Sequence, residues 1–128
     1  MTSPAPRHAI VLFAHGSRDP LWHKPMEAVA ARIRSQSADV EVACAYLELS
    51  QPDLPHTVAQ LTSAGVGSIT IVPMFLGVGR HAREDLPELV TQLRASHPAV
   101  HFHLQKAVGE DDRLVQMLAS IALDPTEA

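Results

Sequence analysis

Two histidines stand out as residues that could do chemistry, because each lies in a short segment containing glycine and arginine. His15 ends an apolar run in IVLFAHGSRD (10–19), and His81 lies in FLGVGRHARED (75–85). Neutral imidazoles bind divalent transition metals such as cobalt, iron, nickel and zinc. His15 and His81 are therefore candidate metal ligands, provided that the fold brings them together.

Further polar residues and glycines stand in or near these segments. Glu48, in YLELSQP (46–52), could supply an oxygen ligand or a base. Three arginines could hold carboxylates by paired hydrogen bonds; they are Arg18, Arg80 and Arg83. Three glycines would allow sharp turns and close approach of a ligand; they are Gly16, Gly77 and Gly79. Taken alone, each of these charged residues is more typical of a solvated surface than of a site.

The elements that must position these residues follow from length and periodicity. The chain has 128 residues, of which 46% are hydrophobic, which suits one domain over 1–128 with 1–7 and 124–128 as flexible tails. Amphipathic helical patterns alternate with strand-like runs. The four strand-like runs are about 8–14, 40–47, 68–74 and 100–105.

This alternation predicts an α/β fold, an open parallel four-stranded sheet with helices on both faces. The first and third runs are apolar throughout, as in central strands. The fourth alternates apolar and polar residues and the second contains Glu41, which is typical of edge strands. The predicted strand order is 2-1-3-4, a flavodoxin-like arrangement.

Helix boundaries follow from capping residues, prolines and glycines. Asp53 and Asp85 are predicted N-caps. Gly65 and Gly67 are predicted to end the second helix. Three prolines fit first helical turns; they are Pro25, Pro55 and Pro87. The fourth helix is predicted from the amphipathic spacing of three apolar residues, Leu114, Leu118 and Ile121.

The predicted strand order has a topological switch point between strands one and three, where open α/β sheets bind ligands. His15 ends strand one, and the loop containing His81 follows strand three. We therefore expect the two imidazoles to face one another across the carboxyl edge of the sheet. Glu48, after strand two, lies at the same edge.

Composition excludes several classes of function. A net charge of −4 argues against a nucleic-acid partner. The single cysteine, Cys44, excludes intrachain disulfides and Cys-based zinc sites. No apolar run is long enough for a membrane span or a signal peptide, so a cytoplasmic location is expected. GVGRHA has Ala82 where G-x-G-x-x-G has its last glycine, and no P-loop is present, so no nucleotide cofactor is expected.

Two other arrangements of polar residues are weaker candidates. Ser17 with His15 would suit a hydrolase, but AHGSR lacks the second glycine of a G-x-S-x-G nucleophile elbow. His101 and His103 lie on one face of strand four and could in principle chelate a metal, but we interpret them as the exposed face of an edge strand.

Four segments together resemble the small class II chelatases of the CbiX/SirB type. AHGSRDP (14–20) is similar to the family's H-G-S-R opening, and LELSQPDL (47–54) to its second motif. IVPMFLGVGRHAREDLPE (71–88) resembles its most distinctive motif, and VGEDDRLVQML (108–118) its closing helix. The similarity spans nearly the whole chain.

The resemblance implies a chelatase-like fold and an enzyme that inserts Co²⁺ or Fe²⁺ into sirohydrochlorin, an acidic tetrapyrrole, without ATP. It implies His15 and His81 as metal ligands and catalytic residues, with Glu48 assisting as proton acceptor. Residues at the rim would bind the macrocycle; these are Ser17, Arg18, Gly79, Arg80 and Arg83. Histidine suits both metal binding and proton acceptance, because its imidazole exchanges a proton near neutral pH. The pathway would be cobalamin or sirohaem synthesis.

Two features of this chain bear on that expectation. Longer members carry two such units, so a single unit implies a homodimer. Some short members have a histidine where this chain has Val78, which leaves the metal open among cobalt, iron and nickel. A non-catalytic metal or tetrapyrrole carrier with the same fold is the alternative from a different class.

Overall fold

The computed structural model describes residues 7–124, in which parallel strands alternate with helices. The strands are β1 (Arg7–Ala14), β2 (Val40–Tyr46), β3 (Val66–Pro73) and β4 (His101–Leu104). The helices are α1 (Lys24–Gln36), α2 (Leu54–Ser63), α3 (Arg80–Ser96) and α4 (Asp112–Leu123). Short 3₁₀ turns, Pro20–His23 and Val108–Glu110, precede α1 and α4.

The four strands form one parallel sheet in the order β2-β1-β3-β4, which confirms the predicted topology. The predicted edges are also confirmed. On β2, Glu41 is exposed and pairs with Arg7 of β1. On β4, Phe102 is buried while His101 and His103 are exposed. The central position of β1 and β3 brings their carboxyl ends side by side.

Apolar side chains pack on both faces of the sheet. The larger cluster joins β1 and β3 to α2 and α3, through residues such as Phe13, Ile71, Val58 and Val90. The smaller cluster joins β1 and β2 to α1, through residues such as Leu12, Tyr46, Met26 and Ala30. Burial of this apolar surface stabilises the sheet and fixes where each strand ends.

The predicted start of α2 is confirmed, whereas that of α3 is wrong. Asp53 caps α2 by accepting a hydrogen bond from the His56 amide at 2.9 Å, and Pro25 and Pro55 lie in first turns. In contrast, α3 begins at Arg80 after Gly79, so Asp85 and Pro87 lie inside it. The extended backbone of Gly79 (φ −63°, ψ 161°) lets its carbonyl accept from the Arg83 amide, and the helix therefore starts earlier. His81 consequently lies in the first helical turn and not in a loop.

Two expectations about chain breaks also need correction. Gly65 follows α2 with φ 95°, as expected, but Gly67 continues into β3. Arg7 belongs to β1 and donates to the Ala64 carbonyl at 2.8 Å, so it is not part of a tail. Asp124, the first residue of the predicted C-terminal tail, is the C-cap of α4, and its amide donates to the Ser120 carbonyl at 3.1 Å. The remaining predicted tail residues, 1–6 and 125–128, lie outside the described residues.

The fourth helix forms as the apolar pattern predicts, but none of the residues of α4 is buried. Leu118 and Ile121 are 41% and 58% exposed. The Gly109 amide donates to the Phe75 carbonyl at 2.9 Å, which ties the preceding 3₁₀ turn to the end of β3. α4 begins at that edge and packs mainly on this turn instead of the strands. Within residues 7–124, no helix combines the length and apolar character that crossing a bilayer requires.

Candidate active site

The loops after β1, β2 and β3 meet at the carboxyl edge of the sheet. The Met74 amide donates to the Phe13 carbonyl at 2.7 Å. The Leu47 amide donates to the Ala14 carbonyl at 2.8 Å, and the Glu48 amide to the His15 carbonyl at 3.0 Å. These bonds continue the sheet pairing beyond the strands, so the backbone of Glu48 lies directly beside that of His15.

The His15 side chain is exposed and rests on an aromatic residue from the neighbouring strand end. Its ring centroid lies 4.3 Å from that of Phe75, with 37° between the ring planes. Phe75 is buried and packs edge to face on Phe13, with 6.1 Å between the ring centroids. One face of the imidazole is therefore supported by the core, while the residue as a whole remains accessible to solvent.

Gly16 is the one glycine of the site whose surroundings require glycine. Its φ is 97°, and a Cβ there would lie 1.8 Å from the Glu48 carbonyl oxygen. Gly77 and Gly79 have neither feature, because a Cβ on either would meet nothing within 4 Å. The expectation of a glycine-dependent turn at these two positions is thus wrong, and both face open space.

Glu48 is exposed and precedes a residue in an unusual conformation. Leu49 has φ 63°, in the left-handed region that a side chain such as leucine rarely adopts. Such conformations persist only where surrounding contacts hold them, and they cluster at functional sites. Here the contacts are the backbone bonds of Leu47 and Glu48 to the β1 loop.

The backbone of His81 lies in the first turn of α3, and that turn borders a cavity at the carboxyl edge of the sheet. Ala82 lines a cavity of about 260 Å³ together with Phe13, Phe75 and Leu47. This places the first turn of α3 beside the aromatic residues that support His15. The facing of the two imidazoles stays a prediction. Among the side chains that the structure describes, no group of three or more His, Cys, Asp or Glu residues converges on a point.

The three arginines that were predicted to bind carboxylates are all exposed. Arg18 and Arg83 are solvent-accessible, and Arg80 forms an ion pair with Glu84 one helical turn later, at 3.2 Å. An exposed pair of this kind contributes little to stability and is readily exchanged for another carboxylate. These arginines are thus accessible to an acidic ligand at the carboxyl edge.

Ser17 takes part in a hydrogen-bond cluster that the sequence did not reveal. Its backbone amide and carbonyl both contact the Ser50 hydroxyl, and the His23 imidazole contacts that hydroxyl as well. The Ser17 hydroxyl oxygen accepts from the Asp19 amide at 3.1 Å, which does not activate it as a nucleophile. No motif distinguishes His23, so only the folded chain identifies its partners.

Two other reactive groups near this edge stay protonated at neutral pH. Burial raises the pKa of the Cys44 thiol, and burial followed by the charge of Cys44 raises the pKa of Tyr46 to about 12. Neither group supplies a nucleophile under physiological conditions. The accessible imidazole of His15 remains the reactive group that the described geometry singles out.

Comparison with known proteins gives matches over most of the chain. A family model described as CbiX matches residues 9–123. A sirohydrochlorin cobaltochelatase of Methanothermobacter thermautotrophicus is 33% identical over 85 residues, covering 66% of this chain and 59% of that protein. A sirohydrochlorin ferrochelatase of Bacillus subtilis is 27% identical over 113 residues, covering 86% of this chain and 42% of that protein. The chain thus spans less than two thirds of the length of these relatives.

Solved structures give the same picture. A Marinobacter aquaeolei protein, provisionally named as a cobalamin (vitamin B12) biosynthesis CbiX protein, aligns with TM-score 0.79 and 34% identity. The alignment covers 91% of this chain and 95% of that one. The Bacillus subtilis sirohydrochlorin chelatase SirB in complex with cobalt aligns with TM-score 0.77 and 23% identity, over 93% of this chain and 51% of that one. At that identity the second match concerns the fold alone.

Proposed function

The chain belongs to the CbiX family, and from this premise we propose that it is a sirohydrochlorin chelatase. It inserts a divalent metal, Co²⁺ or Fe²⁺, into the tetrapyrrole without ATP. The names of its relatives, sirohydrochlorin cobaltochelatase and ferrochelatase, support this substrate. The metal is a substrate of the reaction and not a resident cofactor.

One observation carries the proposal: the His15 ring rests on Phe75, and Phe75 lines one cavity with Ala82, the neighbour of His81 in the first turn of α3. Two imidazole ligands would leave coordination positions of the metal open to the pyrrole nitrogens. Such a small ligand set also suits a substrate metal, which must be released into the macrocycle. His15 and His81 are the proposed metal ligands.

Insertion exchanges two pyrrole N–H protons for one metal ion, so the site must also accept protons. Glu48 is the proposed acceptor, because its backbone is bonded to that of His15 and its side chain is exposed. A carboxylate beside the metal can take a proton from the ring and pass it to water. His15 and His81 can accept protons once the metal has left them.

The surroundings of the crevice suit an acidic, flat molecule. The cavity of about 260 Å³ beside His15 is lined mainly by apolar residues, including Phe13, Phe75 and Leu86, which suit one edge of a macrocycle. Exposed arginines lie at the rim and suit its carboxylates; these are Arg18, Arg80 and Arg83. Ser17 and Gly79 complete the proposed macrocycle-binding set.

The test is a spectroscopic assay with purified protein, sirohydrochlorin and either Co²⁺ or Fe²⁺. We expect faster insertion than the spontaneous rate with at least one metal, and a loss of about 100-fold or more in His15→Ala and in His81→Ala. His56→Ala is the matched control, since His56 is an exposed histidine on α2 outside the crevice. Absence of acceleration with both metals contradicts the proposal, and stoichiometric binding without turnover would instead favour a carrier.

We also propose that the chain acts as a homodimer in the cytoplasm. The unburied apolar residues of α4 support the first part, because a helix with an exposed apolar side is stabilised by a partner that covers it. From Leu114 to Leu123 the helix carries no charged residue, so two copies can approach without repulsion. The choice between cobalamin and sirohaem synthesis follows from the metal that the assay favours.

A further inference from the structure

A single hydroxyl group holds the loop that carries His15. The Ser17 amide donates to Ser50 Oγ at 2.9 Å, and Ser50 Oγ donates to the Ser17 carbonyl oxygen at 2.7 Å. Both backbone polar groups of Ser17 are therefore bonded to one side chain from the loop after β2. This fixes the β1 loop, two residues beyond His15, relative to its neighbour.

A third partner of the same hydroxyl is an imidazole nitrogen. His23 Nε2 lies 2.9 Å from Ser50 Oγ. A serine hydroxyl has one hydrogen to donate and two positions at which to accept. The Ser17 carbonyl can only accept, so it takes that hydrogen, and His23 Nε2 must carry a hydrogen of its own and donate it. The neutral ring is therefore the Nε2–H tautomer, and the cationic ring makes the same bond.

The His23 ring is in turn held by β2. It stacks on Tyr46 with 4.5 Å between centroids and 19° between planes. Tyr46 is buried at the end of β2. The 3₁₀ turn that delivers His23 is capped by Asp19, whose side chain accepts from the Leu21 amide at 3.0 Å. The ring is thus oriented by a buried residue and aimed at Ser50.

We propose that His23 and Ser50 are positioning residues for metal binding at His15. With Ser17 they form the Ser50 cluster, which holds residues 15–18 against the loop after β2 and so fixes the imidazole of His15. Neither residue contacts the metal or the macrocycle. The inference deepens the proposed function and rests on His15 being a metal ligand. Partners that orient a metal ligand typically contribute 10- to 100-fold to metal affinity.

The test compares four variants in protein without tetrapyrrole. His23→Leu removes one hydrogen bond of the cluster, and Ser50→Ala removes all three. His23→Gln keeps a hydrogen-bearing nitrogen near the position of Nε2, and His56→Leu is a matched control on an exposed histidine of α2. We expect Co²⁺ affinity, measured by calorimetry, to fall about tenfold or more in the first two. The Gln variant and the control should stay within about threefold of the unmodified chain.

Two measurements separate this inference from the proposed function. Nitrogen-15 NMR should find hydrogen on Nε2 of His23, with the signal assigned by its loss in His23→Gln. Hydrogen exchange of the Ser17 amide should become at least about tenfold faster in Ser50→Ala and in His23→Leu, but not in His23→Gln. If Co²⁺ binds neither the unmodified chain nor its variants, the proposed function fails and the role in metal binding fails with it. The two readouts then decide whether His23 and Ser50 hold the loop after β1. This holding role is overturned if Nε2 of His23 carries no hydrogen, or if exchange of the Ser17 amide is unchanged in Ser50→Ala.

Discussion

At the scale of single residues, the backbone of Gly16 lies close against that of Glu48. Glycine is required there for two independent reasons: the positive φ, and the carbonyl oxygen that a Cβ would meet at 1.8 Å. The contact also ties the metal-ligand candidate to the proton-acceptor candidate. Any side chain at this position must move one loop away from the other.

We therefore expect Gly16→Ala to lower the free energy of unfolding by about 2 kcal/mol or more, from left-handed strain and displacement of the Glu48 loop. Urea denaturation followed by circular dichroism measures it. Gly77→Ala is the control, because a Cβ there meets nothing within 4 Å. If Gly16→Ala is as stable as Gly77→Ala, the loops that carry His15 and Glu48 can move apart at no cost in folding free energy.

Residue-scale features also mark the limit of what the sequence could predict. The segment around His15 was identifiable from an apolar run that ends in polar residues, and the crevice from strand order. The Ser50 cluster was not identifiable from the sequence, because Ser17 and His23 meet Ser50 only after β1 and β2 pair. Sequence periodicity reports which side chains are buried, and not which hydroxyl reaches which carbonyl.

At the scale of elements, α4 depends on a charged N-cap. Asp111 accepts from the backbone amide of Arg113 at 2.9 Å and from its guanidinium at 2.7 and 3.0 Å. The guanidinium and then the amide lower the pKa of Asp111 from 3.8 to about 2. Between about pH 2 and pH 3.8, the carboxyl group of Asp111 therefore binds fewer protons in the folded state than in the unfolded state.

This shift predicts how the stability of α4 depends on pH. The contribution of Asp111 is fully present above the unfolded pKa of about 3.9 and is lost as pH falls through the folded value near 2. Asp111→Asn keeps a capping oxygen but lacks the charge, so its stability relative to the unmodified chain should rise as pH falls from 5 to 2. Helical circular dichroism during urea unfolding at several pH values measures it. A difference that is constant with pH would contradict the role of the charge.

Element boundaries show why sequence patterns succeed for some helices and fail for others. The N-cap of α2 was predictable, because Asp53 and Pro55 act locally. The start of α3 was not, because Asp85 and Pro87 form an equally good local signal inside the helix. Tertiary packing of Leu86, Val90 and Leu93 outweighs the hydrogen bond that Pro87 cannot donate.

At the scale of the whole molecule, α4 presents apolar side chains that nothing in residues 7–124 buries. Leu118 and Ile121 lie one helical turn apart and both are exposed, whereas Gln116 and Ser120 bond to one another. The amphipathic pattern was visible in the sequence, but the surface against which it packs was not. Within residues 7–124 the chain buries no residue of this helix.

The homodimer proposal predicts that a charge on the apolar side of α4 separates the copies. We expect Leu118→Glu to raise the dimer dissociation constant at least about 100-fold, because a buried unpaired carboxylate costs several kcal/mol. Gln116→Glu adds the same charge on the polar side and should leave the dimer intact. Light scattering after size exclusion gives the mass, and a monomeric unmodified chain or a dimeric Leu118 variant would refute the arrangement.

The direction of β1 also determines how this protein should be attached to a solid support. The chain has only two lysines, Lys24 at the start of α1 and Lys106 just after β4, and both lie toward the carboxyl edge. Coupling through the lysine side chains would therefore fix the carboxyl edge against the support. Arg7 stands at the opposite end of β1, about 26 Å from that edge for an eight-residue strand. A linker joined ahead of Arg7 instead leaves His15 facing the solution.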